Sequence, residues 1–60
     1  MNRIKEILIE KGITQTWLAR KMKKSFNTIN EYSRNVRQAS LEDLYKIANI
    51  LDVNVKDLLK

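Results

Sequence analysis

Apolar positions along this chain recur at intervals of three and four, and no segment alternates for long enough to make a strand; "VNV" at 53–55 is too short. Ile4, Ile7, Leu8 and Lys11 follow helical spacing, and Gly12 stands where a left-handed residue would close such a helix. Thr14 suits the N-cap of a second helix, which Leu18, Ala19 and Met22 line with an apolar stripe. Ser25 suits the N-cap of a third. Ile29 and Tyr32 give it a buried edge one turn wide, and Asn35 can take the left-handed exit. The clearest start is "SLED", where Ser40 and Asp43 resemble a capping box, although Glu or Gln is the usual partner. Behind it Leu41, Leu44, Ile47, Ala48 and Leu51 repeat at helical spacing. Asn54 and Asp57 begin a fifth, short helix with Val55, Leu58 and Leu59 facing inward. The pattern predicts an all-α, compact five-helix bundle. Helices this short need each other's apolar faces to be stable.

Sixty residues allow one domain, spanning 1–60. A chain of that size buries only about 60% of its extended surface, so its stability margin is thin. There is no Cys to form a disulfide, and no His. The commonest general base, the usual zinc ligands and the Ser-His and Cys-His pairs are therefore missing. Ser25, Ser33 and Ser40 have ordinary capping or surface explanations. The expectation is no catalytic residues, no metal, no cofactor and no enzyme activity. Apolar runs stop at three residues, as in Ile7–Leu8–Ile9, whereas a membrane span needs about 20. Arg3, Lys5, Glu6 and Glu10 interrupt the N-terminal hydrophobic residues, which is not the shape of a signal peptide. A cytoplasmic protein with no membrane partner is expected.

The net charge of +5 is unevenly distributed. Residues 1–40 carry nine Lys/Arg against three Asp/Glu, a balance of +6, while residues 41–60 carry three against four, a balance of −1. Between 20 and 37, Arg20, Lys21, Lys23, Lys24, Arg34 and Arg37 face Glu31 alone. Such a patch fits a side turned toward a polyanion; a solvated, lysine-rich surface would read the same way.

The short gap between Met22 and Ser25 forces the second and third helices to cross at a wide angle, the geometry of a helix-turn-helix. Ala19 must be small where they meet, and Ile29 fills the contact. That leaves Phe26, Asn27, Asn30 and Glu31 on the outer face of the third helix, beside Lys23, Lys24 and Arg34. In a major groove an amide pairs with adenine, a carboxylate accepts from cytosine N4, and an apolar group touches a thymine methyl. With no groove to enter, the same face would be solvated.

The stretch "ITQTWLARKMKKSFNTINEYSRN" resembles the helix-turn-helix of phage repressor and Cro-type regulators, the XRE-like family. The likeness extends through "NRIKEILIEKG" and "SLEDLYKIANILDVNVKDLL", so it covers almost the whole chain. It implies a lambda-repressor-like bundle with the helix-turn-helix in helices 2 and 3. It also implies a recognition helix of about Phe26–Arg34, with Phe26, Asn27, Asn30 and Glu31 reading bases. Gln15 at the start of the second helix, with Thr16 beside it, and Arg34 and Arg37 just after the recognition helix fall where the family contacts the DNA backbone. Lys23 and Lys24 around that helix are expected to hold phosphates, and Thr28 to divide between the first helical turn and a phosphate. Gln15 would also brace the recognition helix.

The departures carry information too. Lys23 occupies the turn position where the family usually has Gly. Leu8 and Ser33 replace an Arg–Glu pair, so both partners are missing together. Asn35 and Ala39 replace the usual Gly and Pro of the following loop, and Asp52 replaces a common Gly. The resemblance implies a sequence-specific, double-stranded DNA-binding transcriptional regulator that forms a weak homodimer, or a dimer only on DNA. The rival expectation is an antitoxin-like or adaptor module that grips a protein with Trp17, Phe26 and the amide-rich helix. For Trp17, packing within the domain is the first expectation.

Overall fold

The computed structural model describes residues 2–59. It contains α1 (Ile4–Lys11), α2 (Gln15–Met22), α3 (Phe26–Ser33), α4 (Leu41–Leu51) and a closing 3-10 turn (Val55–Leu58). The fold is therefore an all-α bundle of four α-helices, and the fifth predicted helix is only this turn. Four residues cannot repay helix nucleation. The start signal is nevertheless in place, because the Asn54 N–H donates to Asp57 Oδ2 at 3.2 Å.

Hydroxyl caps begin three of the helices. Thr14 Oγ1 accepts from the Trp17 N–H, Ser25 Oγ from Thr28 and Ser40 Oγ from Asp43, each at 3.1 Å. The first helix is capped from one residue further out, with Asn2 Oδ1 accepting from the Ile4 N–H at 3.0 Å. The ends share one device. Each α-helix closes through a left-handed residue, and the next N–H reaches back five positions: Ile13 to Leu8, Lys24 to Ala19, Val36 to Glu31 and Val53 to Ala48. This is the Schellman exit. Only Gly12 is suited to it without cost; Lys23 (φ 57°), Asn35 (φ 59°) and Asp52 (φ 58°) occupy the other three positions.

Between these caps lies a single core. Ile4, Leu18, Ile29, Ile47, Leu51 and Leu58 are fully enclosed, with Ile7, Leu8, Ala19, Met22, Tyr32, Leu44 and Ala48 around them. Ile13 and Val53 lie half-buried at its edge. Leu59 does not face inward: it is 48% exposed, because the 3-10 turn ends at Leu58 and leaves it beyond the last packed position. Ala39, Ser33 and Asp43 are buried as well. Helix α2 packs mainly on α3, and α4 packs on α2 and the closing turn. No helix among the described residues is long and apolar enough to cross a membrane.

Candidate nucleic-acid interface

The turn from Lys23 to Ser25 joins α2 to α3 and sets the frame of the site. Ala19, only 4% exposed, lets the two helices come close. The first turn of α3 then projects Phe26 and Asn27 into solvent. Phe26 is 50% exposed, so it does not fold back over Leu18 or Met22. No hydrogen bond among the described residues engages the Asn27 side chain. Thr28 is half-buried, its Oγ1 lying 3.0 Å from Ser25 Oγ.

Asn30 is placed differently. It is half-buried, and its Nδ2 donates to Gln15 Oε1 at 3.0 Å. Gln15 Nε2 in turn donates to Ser33 Oγ at 3.0 Å, and Ser33 Oγ donates to the Asn30 carbonyl oxygen, also at 3.0 Å. On the outer side, Arg34 Nη1 reaches Asn30 Oδ1 at 3.3 Å. The first residue of α2 is thus tied to the last turn of α3 by its side chain. Ser33 makes this possible: buried at 3% exposure, its small hydroxyl leaves room for the Gln15 amide. Leu8, the other half of the missing ion pair, lies in the core at 3% exposure.

Lys23 sits exposed at the turn, and Thr16 is exposed at the start of α2. There the Gln15 and Thr16 N–H groups have no hydrogen-bond partner among the described residues, as the first turn of a helix requires. Lys24 and Arg37 have acidic neighbours. Lys24 Nζ lies 3.4 Å from Asp43 Oδ2, and Arg37 Nη1 lies 3.5 Å from Glu31 Oε1. Asp43 is the centre of a small buried cluster, because Tyr32 Oη also donates to its Oδ2 at 2.8 Å. Burial raises the Tyr32 phenol above its ordinary pKa, and the hydrogen bond and charge of Asp43 raise it further; Arg37 works the other way. The Asp43 carboxylate therefore leaves the capping box that "SLED" announced half made. Its N–H completes the Ser40 cap, while its side chain serves Tyr32 and Lys24.

Trp17 packs within the domain only in part. It is 40% exposed, and the Lys21 ammonium lies 5.3 Å from the ring centroid. The indole lines a shallow depression together with Gly12, Ile13 and Thr14. Among the described residues no three His, Cys, Asp or Glu side chains converge as a metal cluster would require.

Residues 4–58 match the family model described as helix-turn-helix. This chain belongs to the helix-turn-helix family, in its phage-repressor and Cro-type, XRE-like branch. Among solved structures, the fold is similar to one described as "a putative DNA-binding protein from Bacteroides fragilis". The two are 46% identical with a TM-score of 0.95, over 97% of this chain and 94% of that one. A comparison with curated proteins finds no match.

Within this helix-turn-helix frame, two site residues were harder to read from sequence. Ser33 registers only as the absence of the family's Glu, yet it anchors the link between α2 and α3. Asp43 is marked by its capping position, but its contact with Tyr32 spans eleven residues and a loop, which no local spacing announces.

Proposed function

We propose that this chain is a sequence-specific, double-stranded DNA-binding transcriptional regulator whose α3 enters the major groove. The observation that supports it most is the outward projection of Phe26 and Asn27 beside an exposed, basic turn. In this reading Phe26 meets a thymine methyl, and Asn27 and the outer edge of Asn30 meet base edges. Glu31 reads a base only where Arg37 turns from it to a phosphate. The side-chain amide of Gln15 is committed to α3, so phosphate binding at this end falls to the free N–H groups of Gln15 and Thr16. Lys23, Lys24, Thr28, Arg34 and Arg37 hold the backbone and set the register. The protein acts in the cytoplasm and is not an enzyme. Two copies pair weakly or only on DNA, on half-sites about 34 Å apart. Val36 on the loop after α3 and Leu41 at the start of α4, 62% and 64% exposed, are apolar groups available for that pairing.

The test is a duplex titration at several salt concentrations. With about four to six phosphate contacts, log K should fall against log salt with a slope of roughly −4 to −5. Between 50 and 200 mM salt, affinity should drop on the order of 10²–10³-fold. The exposed Trp17 and Phe26 favour the second reading, a module that binds a protein through aromatic anchors. Duplex binding that ignores salt, or fails at low salt, would favour that reading instead.

A further inference from the structure

We infer that Ser33 is a positioning residue that fixes which edge of Asn30 faces outward. Asn30 then accepts a hydrogen bond from the exocyclic amine of adenine or cytosine. This rests on the reading of α3 as the base-reading helix. The argument follows the direction of each hydrogen bond. A backbone carbonyl only accepts, so the Ser33 hydroxyl proton must point at the Asn30 carbonyl oxygen, 3.0 Å away. With its proton engaged, Ser33 Oγ can only accept from Gln15, which forces Nε2 toward it at 3.0 Å. Gln15 Oε1 must then face Asn30, and an amide oxygen demands a donor, so Asn30 turns Nδ2 inward at 3.0 Å. Asn30 Oδ1 is left pointing outward. The other end of the chain agrees, because a guanidinium only donates and Arg34 Nη1 points at that oxygen from 3.3 Å.

With Arg34 on one lone pair, that oxygen has a second lone pair open to another donor. In the major groove adenine N6 and cytosine N4 supply one, whereas guanine O6 and thymine O4 are acceptors. Asn30 therefore selects an amino base over a keto base at one position of the strand it meets. Without the Ser33 hydroxyl, Gln15 can turn either end of its amide toward Asn30, and Asn30 can present either edge.

The preferred duplex is selected from a random library. Each of its base pairs is then varied, and affinities are measured for the wild type, Asn30→Ala, Ser33→Ala, Gln15→Met and Gln15→Glu. Asn30→Ala identifies the position. There the wild type should favour the amino base on the order of tenfold. Ser33→Ala and Gln15→Met should reduce that preference to below about threefold, leaving other positions and the salt slope unchanged. Gln15→Glu should keep the preference, since either carboxylate oxygen accepts from Asn30, while weakening all duplexes alike through its charge. A purely structural role for Ser33 would lower the melting temperature and leave base preference intact, and that result overturns the inference. So does a keto preference in the wild type, or an Asn30→Ala variant that alters no position. If Ser33→Ala does not fold by circular dichroism, the two Gln15 variants decide. A wild type that selects no duplex removes the DNA-binding reading itself; a selective wild type whose preference survives Ser33→Ala removes only the inference.

Discussion

Replacing Lys23 with glycine should stabilise this protein and weaken its grip on DNA. The residue has φ 57° and ψ 41° at the exit of α2. A non-glycine residue pays about 1–2 kcal/mol for that left-handed backbone. Asn and Asp, which fill the equivalent positions at 35 and 52, tolerate it better; Lys has no short polar side chain to help. Against the relief stand two smaller costs. Glycine loses about 0.4–1 kcal/mol more entropy on folding, and removing a cation from a helix C-terminus forfeits about 0.3 kcal/mol or more. Taking the middle of each range, the net gain is about 0.5 kcal/mol. In so small a domain that should raise Tm by about 2–4 °C. Thermal melts followed by circular dichroism provide the assay, with Lys23→Ala as the control. Alanine removes the same charge but keeps the strained backbone, so it should give no gain. Equal melting temperatures for the Gly and Ala variants would refute the reasoning. Both should lose about one unit of salt slope if Lys23 holds a phosphate.

Gly12→Ala tests the same device in reverse: a Cβ there meets nothing within 4 Å at φ +66°, so a loss of about 1 kcal/mol in denaturant melts would be backbone strain alone. Asn2→Ala removes both the cap on Ile4 and the donation from Asn2 Nδ2 to the Tyr32 carbonyl oxygen at 2.9 Å; urea titration should show a loss of about 1–2 kcal/mol. The raised pKa of Tyr32 means that the folded state holds this proton more tightly than the unfolded chain. Its contribution is complete below pH about 10 and is lost as pH rises through the folded value. Melting temperature should therefore fall more steeply above pH about 10 in the wild type than in Tyr32→Phe, and the Phe variant should be about 1–2 kcal/mol less stable at neutral pH.

Local signals explain what was legible in the sequence. Thr14, Ser25 and Ser40 stand directly before apolar helical spacing, and each caps its helix as that placement implies. Gly12 and Asn35 take the left-handed exits expected of them. The closing segment is shorter than its start signal implies, since the Asn54–Asp57 pair marks a start and says nothing of length, and Leu59 lies outside it. The candidate interface was legible in outline, because Phe26 and Asn27 directly follow the Ser25 cap and stay exposed in the first turn of α3. What stayed hidden depends on contacts between distant segments. The enclosure of Ala39, the convergence of Tyr32 and Lys24 on Asp43, and the link from Gln15 through Ser33 to Asn30 all need the helices already packed.

The Arg3 N–H donates to the Leu58 carbonyl oxygen at 2.9 Å, so the beginning of α1 and the end of the closing turn touch. The polypeptide thus traces a nearly closed ring. A few flexible residues could bridge positions 3 and 58, and the cut could be moved to the exposed Arg37–Gln38 junction between α3 and α4. Such a rearranged order would leave every helix and the α2–α3 corner uninterrupted. It would also free the end of α3 from covalent attachment to α4, leaving that helix held by the α2–α3 turn and by side-chain packing.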